Sequence, residues 1–336
     1  MSIQKRPRSR KLLVVLAATS VAAAALAGAA VASLAAFPQG KQLKILFTSQ
    51  SPSSDRFASV YVNGFNAACN EYNVSCEYRG ETTVNFNADE MIHLIQNAQA
   101  AHPDGLITTD PAPTGLNASI KAVVQAGIPV VIVNTGYGQA EATGALTFIG
   151  NQETNLGASG AVRLKQAGAK HAVLFTAQPG IPLVDQRNAG FKKAFAPGKV
   201  VTVAVAQTDL TNSSKMTNIL KATMIKDKSV DAVFSVGDLL NPPMLAVRSS
   251  LGARAAKIHW ASIDVGDSVV KALQGKQMDF AIAQQQYLEG YRAVEDLVFY
   301  LRGGFVPART FTPVGPTYVT PDNITRYLQF SKQGLF

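Results

Sequence analysis

Residues 102–136 read HPDGLITTDPAPTGLNASIKAVVQAGIPVVIVNTG. A short apolar run at Leu106 and Ile107 ends in Thr-Thr-Asp-Pro, and a segment of helical period follows. After Ala126, Gly127, Ile128 and Pro129 comes the unbroken apolar run Val130 to Val133. Unbroken Val/Ile runs suit strands buried on both faces, and such strands belong to parallel sheets whose crossovers are helices. Gly127 ends the helix and Pro129 punctuates the way into the next strand. The stretch is one β-α-β unit. In open α/β sheets ligands bind beyond the carboxyl ends of the strands, so the polar residues there are the first candidates for contact. Asn134 is one of them; Asp110, before Pro111, reads as a turn holder.

The same alternation extends in both directions. Toward the N-terminus the sequence predicts strands at 44–48 and 75–78 and helices at 57–72 and 89–101. Asp89 complements the dipole near the start of the second of these helices. Residues 137–144 are Gly-rich and read as irregular, and the strand 146–149 leads to a first passage between domains. The second half repeats the pattern, with helices at 154–165, 185–195, 213–226, 242–251 and 267–274. Its strands are at 172–176, 200–206, 232–236, 258–263 and 280–284. A long amphipathic helix at 288–301 follows, then Tyr318-Val319 and a last helix opening at Thr320-Pro321-Asp322. So many strands exceed one sheet, and the reading is an α/β chain of two lobes.

Composition agrees with a folded chain. At 336 residues, 47% hydrophobic and 16% charged, there is enough apolar material for two cores. The formal net charge is +9, but five of the cations stand in the first eleven residues. Subtracting them leaves +4 on a chain whose other Lys and Arg are scattered. No basic face or RNA-reading motif appears, so no nucleic-acid partner is expected. The basic start and the uncharged, Ala-rich run from Leu12 to Phe37 read as a signal peptide over residues 1–36. The run is also long enough to be a retained anchor. Export puts Cys69 and Cys76 in an oxidising compartment, where a helix-to-strand disulfide can persist; two buried thiols are the alternative.

The order of several phrases carries a resemblance: LKILFTSQSPSSDRF, DGLITTDP, AGIPVVIVN, QRNAGFKKAF, VDAVFSVGD, WASID and FAIAQQQYLEGY. Together they make the chain resemble the ribose/galactose type of periplasmic sugar-binding protein of ABC transporters, in the type I periplasmic binding protein family. The resemblance implies two Rossmann-like lobes with parallel-sheet cores joined by a three-strand hinge. It places the N-terminal lobe at 41–149 plus 285–313 and the C-terminal lobe at 150–284 plus 314–336. It also implies a monomer at the outer face of the membrane that binds a small sugar or polyol and hands it to an ABC permease, without a cofactor.

Vicinal hydroxyls need groups able to make paired hydrogen bonds, and a sugar's C–H face needs an aromatic cover. By their match to the family phrases, the ligand-binding candidates are Asp55, Phe57, Asn134, Arg187, Asp264 and Gln284. Plainer roles exist for some: Phe57 in the core of its helix, Arg187 in an ion pair, Asp264 as a helix cap and Gln284 as a solvated hinge residue. Trp260, inside a strand, reads as core, and Tyr137 and Tyr287 fall near the cleft mouth. Asn134-Thr135 and Gly237-Asp238 depart from the family's usual pairs, which leaves the sugar's identity open and removes an amide contact unless Asp238 turns inward.

A secreted enzyme is disfavoured, because no nucleophile elbow, zinc-binding HExxH or CxxC stands in the sequence and the four histidines do not pair. A sensor subunit that hands its closed form to a membrane kinase or chemoreceptor fits the same residues as a transport role.

Overall fold

The computed structural model describes residues 41–331 and 333–335. The expected signal segment, 1–36, lies outside them. Among the described residues no helix is long and apolar enough to cross a membrane.

In the first half, strands β1 (Lys44–Ser49), β2 (Ser75–Gly80), β3 (Gly105–Thr108), β4 (Val130–Asn134) and β5 (Thr147–Gly150) alternate with helices. These are α1 (Arg56–Glu71), α2 (Ala88–Ala100), α3 (Pro113–Gln125) and the short α4 (Gln139–Thr143). The second half runs α5 (Glu153–Gln166), β6 (His171–Ala177), α6 (Pro182–Phe195), β7 (Lys199–Val205), α7 (Ser213–Lys226) and β8 (Ala232–Ser235). It continues with α8 (Asn241–Ser250), β9 (His259–Ile263), α9 (Asp267–Gln274) and β10 (Phe280–Ala283). Helix α10 (Gln286–Gly303), β11 (Phe311–Pro313), β12 (Thr317–Val319) and α11 (Ile324–Ser331) complete the chain.

The strands form two six-stranded sheets, in the orders β11-β5-β4-β3-β1-β2 and β12-β10-β9-β8-β6-β7. All pairings are parallel except β10 with β12. Both sheets belong to one compact unit that begins at Gln42. Each sheet reverses its winding direction once, between β1 and β3 and between β6 and β8, which is where open α/β sheets leave a crevice. The chain passes from one sheet to the other three times: between β5 and α5, between β10 and α10, and between β11 and β12.

The central strands are apolar because helices cover both faces. Every residue of β3, β4, β5, β8 and β10 is buried. Trp260 is core as expected, with its Nε1–H donating to the Ala255 carbonyl. Cys69 and Cys76 are joined in a disulfide with Cα atoms 6.2 Å apart, tying the end of α1 to β2.

Two helix pairs cross so closely that their contact points must be glycine. A Cβ at Gly157 of α5 would stand 2.0 Å from the Arg187 carbonyl oxygen of α6, and one at Gly190 would stand 2.0 Å from that of Thr154. The first lobe repeats this: α1 and α10 meet at Gly64, facing the Tyr287 oxygen, and at Gly290, facing that of Tyr61. These crossings fix the helices that carry the site.

Two local expectations change. Residues 139–143, read as irregular, form α4 between Gly138 and Gly144, both at positive φ. The last helix begins at Ile324 because residues 320–323 are spent on its cap, where Asn323 Oδ1 accepts from the Thr320 N–H.

Candidate functional site

The loops beyond the carboxyl ends of the strands in both sheets enclose a cavity of about 180 Å³. All six sequence candidates stand in its wall: Asp55, Phe57 and Asn134 from the first sheet's loops, Arg187 and Asp264 from the second, and Gln284 at the passage after β10.

Each has a local reason for its position. Asp55 caps α1, its Oδ2 accepting from the Ala58 N–H at 3.0 Å. Phe57, half-buried in the first turn, packs T-shaped against Tyr61 and lines the cavity. Asn134 closes β4 and Asp264 follows β9, the corresponding places in the two lobes. Both have left-handed backbones, at φ 64° and 72°. A non-glycine residue held there is strained and persists only when its surroundings over-determine it. Here the surroundings are hydrogen bonds. The Asn134 amide donates to Glu289 Oε2 at 3.1 Å, and Asp264 accepts from Gln284 Nε2 at 2.7 Å and from the Asp238 N–H at 3.0 Å.

Arg187 and Gln284 sit at the centre. The buried guanidinium donates from Nε to Glu153, from Nη1 to the Val236 carbonyl at 3.2 Å and from Nη2 to Gln284 Oε1 at 3.0 Å. Gln284 is buried too, and its own carbonyl accepts from the Asn151 amide at 3.1 Å. A continuous relay, Glu153 to Arg187 to Gln284 to Asp264, therefore runs through the interlobe passage. The plainer reading of Gln284 as a solvated hinge residue does not hold, since it is 1% exposed. Arg187 does form an ion pair, but a buried one, and it still faces the cavity.

The electrostatics follow from burial. Burial works against the charge on Arg187, and the adjoining Glu153 more than offsets this, with help from Asp264 and Glu289. Burial likewise pushes Glu153 up, against the pull of Arg187. Asp264 is pushed up to about 7, mainly by burial, with Arg187 pulling down and Asp238 pushing up. Burial raises Glu289 well above its ordinary value, against the hydrogen bond from the Asn134 amide.

Several participants were not among the sequence candidates. Glu153 and Glu289 lie on helices where an acid reads as solvated surface, and only the packing buries them. Asp238 does turn toward the cavity, and Gln50 faces it with a buried Oε1 that has no partner. Asp110 does not hold a turn through its side chain: its N–H donates to Thr135 beyond the neighbouring strand β4, while both carboxylate oxygens are buried without a partner and burial lifts its pKa to about 7. Tyr137 packs on Phe148 and Phe311 and Tyr287 stacks with Tyr291, and neither is in the wall. Among the described residues no cluster of His, Cys, Asp and Glu has the arrangement of a metal site.

The family model of the periplasmic binding protein domain matches residues 45–304. A carbohydrate transporter from Acidothermus cellulolyticus 11B, solved in complex with myo-inositol, is 27% identical. The match covers 88% of this chain and 100% of that one, with a TM-score of 0.79. An ABC transporter solute binding protein from Burkholderia graminis C4D1M, in complex with D-arabinose, is 21% identical. It covers 85% of this chain and 98% of its own, with a TM-score of 0.75. An ABC transporter periplasmic solute binding protein from Actinobacillus succinogenes 130z, with bound D-allose, is 18% identical over 85% of this chain and 100% of that one, also at 0.75. The last two show likeness of fold alone. No curated protein matches the chain.

Proposed function

The chain belongs to the periplasmic binding protein family, and from that premise we propose that it captures a sugar or polyol between its lobes and delivers it to an ABC importer. The observation that carries the reading is the cavity itself. Strand-end loops of both sheets wall it, and carboxylates, amides and a guanidinium converge on it. Such groups pair with vicinal hydroxyls, while Phe57 covers a C–H face. The myo-inositol held by the Acidothermus relative supports a cyclic polyol or sugar as the ligand class.

Capture works by closure. The lobes touch at the cavity rim through Arg56 of α1 and Asp267 of α9, at 3.0 Å, and through the Gln207 amide donating to the Phe86 carbonyl at 3.0 Å. Opening breaks these contacts and wets both rims; ligand binds one lobe first, and rotation about the three passages brings the other onto it. We assign 41–149 plus 285–313 to the first lobe and 150–284 plus 314–336 to the second, with residues 1–36 as the export signal. The six candidates are the ligand contacts, and the closed pair of lobes is the surface a permease reads. The chain acts as a monomeric carrier rather than an enzyme, in the periplasm or on the outer face of the membrane.

A thermal-shift screen against pentoses, hexoses, cyclitols and amino acids tests this. A ligand at a thousandfold over its dissociation constant adds about 4 kcal/mol, a shift of several degrees. The expected result is a hit among hydroxylated compounds that is lost in Asp264→Ala. A folded chain that answers only to amino acids, or to nothing, overturns the reading.

A further inference from the structure

The wall of the cavity is unbalanced in charge. Three carboxylates, Asp55, Asp238 and Asp264, face it against one guanidinium, Arg187. That guanidinium is already neutralised by the buried Glu153, and three of its N–H groups are committed to Glu153, Val236 and Gln284. The neighbouring Arg56 is not part of this wall: it pairs with Asp267 at the rim, where that carboxylate answers its charge, although it stands near enough to Asp238 to favour ionisation there. The remaining charge of the wall is therefore negative.

Its hydrogen-bonding capacity leans the same way. The Asp238 N–H donates to Asp264 and its carbonyl accepts from the Asn241 N–H, but its carboxylate accepts no hydrogen bond among the described residues. Asp55 commits one carboxylate oxygen to its helix cap through a side-chain bond to the Ala58 N–H, and Gln50 Oε1 is buried without a partner. Asp55 follows β1 and Asp238 follows β8, so closure brings two carboxylates from opposite lobes to one space; burial works against the charge of Asp238, Arg56 favours it, and Asp55 opposes it. A hydroxyl carries one proton and no charge, so it answers one acceptor and leaves the imbalance standing. An ammonium group carries three donors, no acceptor and the missing positive charge.

We propose that the ligand is an aminated polyol, an amino sugar or aminocyclitol, whose ammonium group sits between Asp55 and Asp238 while Arg187, Gln284 and Asp264 take its hydroxyls. This rests on the capture reading above and narrows it. The same wall rejects anionic sugars such as uronates.

Calorimetric titration of the full chain at pH 7.4 tests the assignment with probes that share a ring: D-glucose, D-glucosamine and D-glucuronate, and myo-inositol against an inosamine. The amine binds at least tenfold tighter than its hydroxyl parent, the uronate binds weakest, and Asp238→Asn collapses the amine-to-parent ratio toward one. A parent that binds as tightly as its amine overturns the amine assignment and leaves the capture reading standing. A ratio unchanged in Asp238→Asn, in a variant that melts like the wild type, overturns the placement. Silence of every probe in a chain that melts cooperatively overturns both.

Discussion

Arg187 on α6 donates through Nη2 to Gln284 Oε1 at 3.0 Å, and the same glutamine's Nε2 donates to Asp264 at 2.7 Å. One amide at the interlobe passage thus orients both charged groups of the second lobe. Gln284→Ala leaves the buried guanidinium and carboxylate each short of a partner, and an unmet buried polar group costs about 1 to 3 kcal/mol. We expect a destabilisation of that order in urea unfolding, and a loss of ligand affinity of tenfold or more by calorimetry. Wild-type affinity in a stable Gln284→Ala variant would remove the relay from the account of binding.

Glu153 is 3% exposed and supports Arg187 from behind the cavity. Removing one partner of a buried ion pair costs about 3 to 5 kcal/mol, because the other charge stays buried and uncompensated. Glu153→Ala should lower stability by that amount, and Glu153→Gln, which keeps the hydrogen bond, by less. Equal losses in the two variants would mean that packing, not charge, is what Glu153 supplies.

The rim pair Arg56–Asp267 has side chains 38% and 72% exposed, so solvent screens it heavily. Arg56→Ala should change ligand affinity by no more than a few-fold at low salt and by nothing measurable at high salt. A salt-independent loss of tenfold or more would place Arg56 in direct contact with the ligand.

Asp264 carries a folded-state pKa of about 7 against an ordinary 3.8. The folded chain binds this proton more tightly than the unfolded chain does. The contribution to stability is full below about pH 4 and is lost as pH rises to 7. Asp110, also near 7, acts in the same direction. The ligand-free chain should therefore lose melting temperature between pH 5 and pH 8 through these groups. Asp264→Asn, with no proton to lose, should flatten that slope, and an unchanged slope would show that Asp264 is ionised throughout.

Gly157 leaves no room for a methyl group, because a Cβ there would fall 2.0 Å from the backbone oxygen of Arg187. Gly157→Ala must push α6 away from α5, and overpacking of this kind costs about 1 to 3 kcal/mol. Since the displaced helix carries Arg187, affinity should fall along with stability. A crystal structure of the variant with α6 unmoved would contradict this.

The alternation of Val/Ile runs with helical segments was enough to determine the α/β class and the places where strands end. Those ends are local facts, since Asn134 follows Val133 and Asp264 follows Ile263 whatever the rest of the chain does. A disulfide between Cys69 and Cys76 was one of two open readings for the same reason in reverse, since two positions in sequence do not state a separation in space. Only the tertiary structure decided that Glu153, Glu289 and Gln284 are buried and that Asp55 and Asp238 share one cavity. Their pairings span 34 residues between Glu153 and Arg187, 155 between Asn134 and Glu289, and 97 between Arg187 and Gln284. An acid on a helix has the same one-dimensional pattern whether its face meets water or a second lobe. Burial, and with it the proton affinity of Asp264, is set by what the rest of the chain packs against it.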